Sequence, residues 1–218
     1  MKRPARVTLA GRYVRIVPLD AALHGPSLYD GSRGPDHAEL WRYLFNGPYT
    51  SQAEFAEWLA GREKSEDPLF FTILDAASGA PAGYCSLMRI DPVHRVLEVG
   101  NILYLPRLQR TVGATEAMYL MARYVFEDLG YRRYEWKCDA LNAPSRRAAL
   151  RFGFTFEGIF RQHMIVKGKN RDTAWYAMLD SEWDARKQAF ERWLASANFD
   201  AEARQKSRLG AGMPYRMV

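Results

Sequence analysis

The sequence predicts a mixed α/β domain, a single layer of sheet with helices on its faces. Three observations carry this. Apolar strand-like runs bounded by Gly and Pro recur along the chain, and stretches of helical periodicity separate them. The resulting order is a strand, helices, three strands, helix, strand, helix, two strands and helix, an alternation that gives sheet and helix layers. Of the 218 residues, 48% are hydrophobic and 26% charged, a globular balance that supports a core without disulfide or metal staples. We expect one domain over 1–197 and a C-terminal tail over 198–218.

Residues 6–18 read as a strand with a turn at Gly11, and residues 20–48, rich in Gly, Pro and Asp, as short helical pieces and loops. Ser51-x-x-Glu54 forms a capping box that opens a helix with Phe55, Trp58 and Leu59 on one face. Strands follow at 69–74 and 83–90 around a turn at Ala76–Pro81, then at 93–104 up to Pro106. Met118, Met121, Ala122, Val125 and Leu129 recur at helical spacing, and Gly130 ends that helix. In the next strand Tyr134, Trp136 and Cys138 share one face, while Arg133, Glu135 and Lys137 share the other. A short helix over 143–152 stops at Gly153, and strands 154–166 and 171–180 flank the turn Lys167-Gly168-Lys169-Asn170. Ser181-x-x-Asp184 caps a last helix carrying Trp183, Phe190, Trp193 and Leu194, and the tail beyond Asn198 wraps the surface or frays.

No window approaches the roughly 18 apolar residues of a membrane span, and the basic N-terminus has no apolar run behind it, so a cytoplasmic location is expected. Cys85 and Cys138 sit in apolar runs and read as buried thiols. His24, His37, His94 and His163 show no metal-ligand spacing, so no metal is expected. The net charge of +6 admits nucleic acid as a partner, but no reading motif accompanies it, and neither nucleic acid nor membrane is expected. The basic residues instead fall in short clusters, 107–110, 132–137, 146–151 and 167–171.

The first cluster lies where a strand ends and a helix begins. Leu103, Tyr104 and Leu105 close the strand; Arg107, Gln109, Arg110 and Thr111 form a basic loop; Val112, Gly113, Ala114 and Thr115 open the helix. Free first-turn amides, the helix dipole and small residues make this a candidate pyrophosphate site, the alternative being an ordinary basic turn. Walker and dinucleotide fingerprints are absent.

This arrangement resembles the acetyl-CoA pyrophosphate loop of the GNAT superfamily, Gln/Arg-x-x-Gly-x-Gly/Ala. Read from Gln109, Ala114 fits the last position but Val112 replaces the first glycine; read from Arg110, Gly113 is restored and Thr115 falls last. Downstream, the strand to Cys138, Asn142-x-x-Ser145 opening a helix, Gly153-Phe154 at its end, and Phe156-Glu157-Gly158 with Arg161 are similar to the second half of the GNAT core. Together they resemble the branch of ribosomal-protein N-terminal acetyltransferases, the RimJ/RimL type, over roughly 8–180.

The resemblance implies a mostly antiparallel sheet splayed at the cofactor site. It implies an acetyl-CoA-dependent N-acetyltransferase with a protein N-terminus or small-molecule amine as acceptor, in a monomer or homodimer. Residues 103–105 and 109–115 would hold the cofactor. Glu98 shares a strand face with Val96, Gly100, Ile102 and Tyr104. A carboxylate there suits a base for an ammonium, or else pairs with a nearby Arg. Ser145 would hydrogen-bond the departing thiolate, a role that many family members give to a Tyr at the place of Ala149; otherwise it is a plain first-turn serine. Asn142 would cap its helix, touch the pantetheine arm, or both. Arg146 and Arg147 reach phosphates or face solvent, and Trp41 and Trp58 pack the core or border the acceptor. A CoA-binding sensor or scaffold without catalysis is the alternative function.

Overall fold

A computed structural model describes residues 2–202 and 204–210. Eight strands form one sheet: β1 (Leu9–Ala10), β2 (Val14–Pro18), β3 (Leu69–Asp75), β4 (Pro81–Asp91), β5 (Val96–Tyr104), β6 (Arg133–Asp139), β7 (Thr155–Val166) and β8 (Lys169–Leu179), ordered β1-β2-β3-β4-β5-β6-β8-β7. All neighbours are antiparallel except β5 and β6. Those two run parallel over four pairs only, from Val96↔Arg133 to Val99↔Trp136. Beyond Val99 the strands part: β6 stays paired with β8 through Asp139↔Thr173, while β5 continues against β4. The sheet is thus splayed, with one edge of Gly100–Tyr104 unpaired.

Helices α1 (Ala21–Asp30), α2 (Ala38–Trp41) and α3 (Gln52–Lys64) precede β3; α4 (Val112–Arg123), α5 (Ala143–Arg151) and α6 (Asp180–Leu194) come later. Residues of α4, α5 and α6 pack on one face with Ile16, Phe71, Leu97, Val99 and Trp136. On the other face α1 and α3 contribute Leu28, Phe55 and Leu59 to a smaller aromatic cluster with Trp41, Phe70 and Tyr84. The helices on the two faces agree with the expectation.

Several local readings change. The first strand breaks at residues 11–13 into β1 and β2, because the carboxylate of Glu116, from α4, accepts N–H bonds from Arg12 (2.8 Å), Tyr13 (2.6 Å) and Val14 (2.9 Å) and turns the chain there. Gly11 leaves that carboxylate its room, since a Cβ would collide with Glu116. Ser51 accepts the Glu54 N–H at 3.2 Å, but Glu54 reaches back to Thr50 rather than to Ser51. Ser181 does not cap α6: the helix begins one residue earlier, and Glu182 accepts the Leu179 N–H at 3.0 Å. The β7–β8 turn needs only Lys167 (φ 50) and Gly168 (φ 74), both left-handed as a two-residue hairpin requires. After α4 one π-helical turn, Tyr124–Asp128, precedes Gly130. The described part of the tail folds back on α6: Trp193 donates to Gln205 at 2.8 Å and Leu209 is buried.

Candidate active site

A β-bulge sets the geometry of β5. Ser86 pairs Gly100 and Tyr84 pairs Leu103, so two steps on β4 oppose three on β5, with Asn101 left-handed at φ 50. The extra residue reverses the alternation. Glu98, Gly100 and Leu103 therefore face α1 and α3, whereas Ile102 and Tyr104 pack toward α4. The expectation that Glu98 shares a face with Ile102 and Tyr104 is corrected by this bulge. Asn101 fixes it, donating to Ser86 Oγ at 2.9 Å, and Asn is among the few non-glycine residues that tolerate this backbone.

Glu98 is 4% exposed. Its Oε2 lies 3.2 Å from Arg89 Nε and 3.1 Å from Lys137 Nζ, contacts of charge without hydrogen-bond alignment. Lys137 also meets Glu135 at 2.7 Å, and Arg133 bridges Glu135 and Glu157. Burial raises the pKa of Glu98, while Lys137 and Arg89 oppose the shift only in part. Burial also acts to raise Glu135, but Lys137 and Arg133 outweigh it and hold that carboxyl low. Sequence reading placed Glu135 and Lys137 on a polar strand face. It did not join them to Glu98, because the lattice forms across β5 and β6.

Ser145 stands on the opposite face of β6. Asn142 caps α5, its Oδ1 accepting the Ser145 N–H at 3.1 Å, and the Trp136 indole donates to Ser145 Oγ at 3.0 Å. Glu98 and Ser145 thus flank β6 from its two sides, through Lys137 and Trp136. Arg146 turns inward to Tyr176 and to the Ala140 carbonyl, while Arg147 is exposed.

At the mouth of the splay, Arg107, Gln109, Arg110 and Thr111 are exposed, and Arg110 is left-handed at φ 60. Thr111 caps α4 by accepting the Ala114 N–H at 3.2 Å, and Gln109 donates to the Tyr104 carbonyl at 3.0 Å. The amides of Val112 and Gly113 belong to the first turn, which has no intrahelical acceptors. The small residues here have a packing cause that the sequence reading missed. A Cβ on Gly113 would meet Val14 at 2.9 Å, Ala114 is buried, and Thr115 is buried under Arg151 (3.0 Å). Their side chains face inward, and only the backbone of this turn is open to an anion.

On the Glu98 side, a cleft of about 320 Å³ is lined by Phe45, Asn46, Trp58, Arg62, Met88 and Asn101. Trp58 borders this cleft, while Trp41 is a core residue donating to the Ser32 carbonyl at 2.9 Å. Cys85 and Cys138 are buried free thiols. Among the described residues no cluster of His, Cys, Asp or Glu could hold a metal, and no helix is long and apolar enough to cross a membrane.

A profile of the acetyltransferase (GNAT) domain matches residues 18–155. The crystal structure of a GCN5-related N-acetyltransferase from Brucella melitensis is 53% identical, with a TM-score of 0.94 over 96% of this chain and 95% of that one. "Putative ribosomal N-acetyltransferase YdaF" of Bacillus subtilis is 31% identical over 109 residues, 50% of this chain; the match spans 59% of that relative, less than two thirds of its length. The spermidine N(1)-acetyltransferase of Escherichia coli is 26% identical over 137 residues, 63% of this chain and 72% of that protein. The splayed sheet, the profile and the near full-length likeness agree: the chain belongs to the GNAT acetyltransferase family.

Proposed function

We propose that the protein transfers an acetyl group from acetyl-CoA directly to a primary amine, a protein N-terminus or a small-molecule amine. The observation that carries this reading is the unpaired edge of β5 at Gly100–Tyr104, opening beside the capped N-terminus of α4. That edge offers unpaired backbone to an extended pantetheine arm at Leu103, Tyr104 and Leu105. The loop Gln109–Thr111 and the first-turn amides of Val112 and Gly113 fit a pyrophosphate. Acetyl-CoA supplies an activated thioester when bound.

The chain's own residues then divide the work. Glu98 takes a proton from the incoming ammonium, a task that its raised pKa favours. Arg89, whose side chain is 41% exposed, is the partner that can swing aside and leave the ammonium its place. Backbone N–H groups near Leu103 stabilise charge developing on the carbonyl oxygen. Trp136 occupies a lone pair of Ser145 Oγ, which leaves the hydroxyl proton for a departing sulfur. Holding both substrates in line suffices without a covalent enzyme intermediate.

Calorimetry with acetyl-CoA tests the cofactor half. We expect micromolar binding that weakens about tenfold in Arg110→Ala, the scale of one charge-assisted contact of 1.4 kcal/mol. Wild-type protein that takes up no acetyl-CoA defeats the reading. Binding without thiol release for any amine favours a sensor or scaffold.

A further inference from the structure

Arg171 is a buried cation without an ion-pair partner among the described residues; Asp139 attracts it only from farther off. It lies on β8, 6% exposed, and its Nε and Nη1 are buried without a hydrogen-bond acceptor. Among the described residues no carboxylate stands within ion-pair distance of it. An unpaired buried guanidinium is expensive, so a chain that keeps one has a use for it. Alternation along β8 puts Arg171 in the row of Thr173 and Trp175, and Trp175 lies under Lys137 with 3.8 Å from ring to Nζ. Arg171 is therefore on the face of the sheet that carries Glu98.

Its surroundings are built. The guanidinium stands 4.8 Å from the ring of Phe45, which also lines the cleft bordered by Trp58 and is 44% exposed. The loop bearing Phe45 is tied down on both sides: Lys167 donates to the Trp41 carbonyl at 2.7 Å, and Tyr43 donates to the Leu141 carbonyl at 3.1 Å. A second cation, Arg62, lines the same cleft; its Nε is also buried without a partner. The face of the sheet that carries Glu98 thus holds Arg89, Lys137 and Arg171, with Glu135 in ion-pair contact with Lys137 and Asp139 near enough to act on Arg171.

Resting on the acetyltransferase reading, we infer that the acceptor is an anionic amine: its amino group goes to Glu98 and a carboxylate a few bonds away goes to Arg171. A planar guanidinium fork matches a carboxylate with two parallel hydrogen bonds. A second ammonium placed at Arg171 would meet a cation instead of a carboxylate partner, which disfavours diamines and polyamines there. Arg171 is then the residue that sets acceptor specificity.

The test compares amines matched in length and opposed in charge. Thiol release from acetyl-CoA is measured with 4-aminobutyrate against 1,4-diaminobutane, and with short amidated peptides carrying Asp or Lys beside the N-terminus; the two pairs separate a free amino acid from a peptide source. We expect kcat/KM for the anionic member of one pair to exceed its cationic match by tenfold or more. Arg171→Gln should raise KM for that member about 10- to 100-fold with little change in kcat, and Arg171→Lys should recover part of the loss. Equal or better use of the cationic members, or a loss in Arg171→Gln that is the same for all acceptors, overturns the proposal and leaves the acetyltransferase reading standing. Calorimetry of the anionic amines without acetyl-CoA separates the two claims: binding that Arg171→Gln abolishes, with no transfer, upholds the carboxylate site and sinks the enzyme. If Arg171→Gln does not fold, the wild-type preference decides.

Discussion

Glu116 and Glu98 are buried on opposite faces of this sheet, and their surroundings differ. Glu116 is 5% exposed and accepts three backbone N–H bonds from the turn between β1 and β2. Glu98 is equally buried but has side-chain cations for company, one of them on the partly exposed Arg89. Backbone donors cannot leave without unfolding the turn, whereas side-chain cations can be exchanged for a ligand. The first arrangement fixes structure, and the second suits a group that must release one partner and take another.

Three substitutions probe this contrast, in falling order of effect. Glu98→Gln should lower amine acetylation by about 10²–10⁴-fold, the weight of a general base, with the melting temperature little changed because Lys137 keeps Glu135. On the proposed mechanism the base works only as carboxylate. Activity should therefore rise with pH through a pKa above the ordinary glutamate range and be lost below it; this acid limb should vanish in the variant. An unchanged pH profile would move the base elsewhere. Phe190→Ala, on the packed face where Phe190 meets Tyr119 and Phe152, should cost about 3–5 kcal/mol in denaturant unfolding, with acetyl-CoA affinity kept in the protein that remains folded. Glu116→Gln, nearly the same shape, should cost about 1–3 kcal/mol because at least one turn N–H loses its acceptor; catalytic rates should stay as they are. A variant as stable as wild type would show that the turn does not need the charge.

Much of the fold was legible from residue order. The helix at Met118–Leu129, the alternation Tyr134-Glu135-Trp136-Lys137-Cys138 and the hairpin at Lys167-Gly168-Lys169-Asn170 each carry their own periodicity or turn chemistry, and the structure has them there, the turn itself shortened to its first two residues. What stayed hidden depends on contacts distant in sequence. The bulge at Asn101 turns one strand over midway, and strict alternation along 96–104 therefore put Tyr104 on the wrong face. The dipeptide Gly100-Asn101 was the available signal, a small residue followed by one that tolerates a left-handed backbone. The charge lattice of Glu98 and Lys137 and the buried Arg171 come from three different strands, so no local spacing could have announced them.

The four parallel pairs between β5 and β6 have a mechanical consequence. They are the backbone seam between a block of strands β1–β5 and a block of β6–β8. Across that seam Lys137 of β6 grips Glu98 of β5, a rivet beside a short weld. A load pulling the blocks apart would concentrate here, and a guest lying along the free edge of β5 would act as a splint where only four backbone pairs join the two blocks.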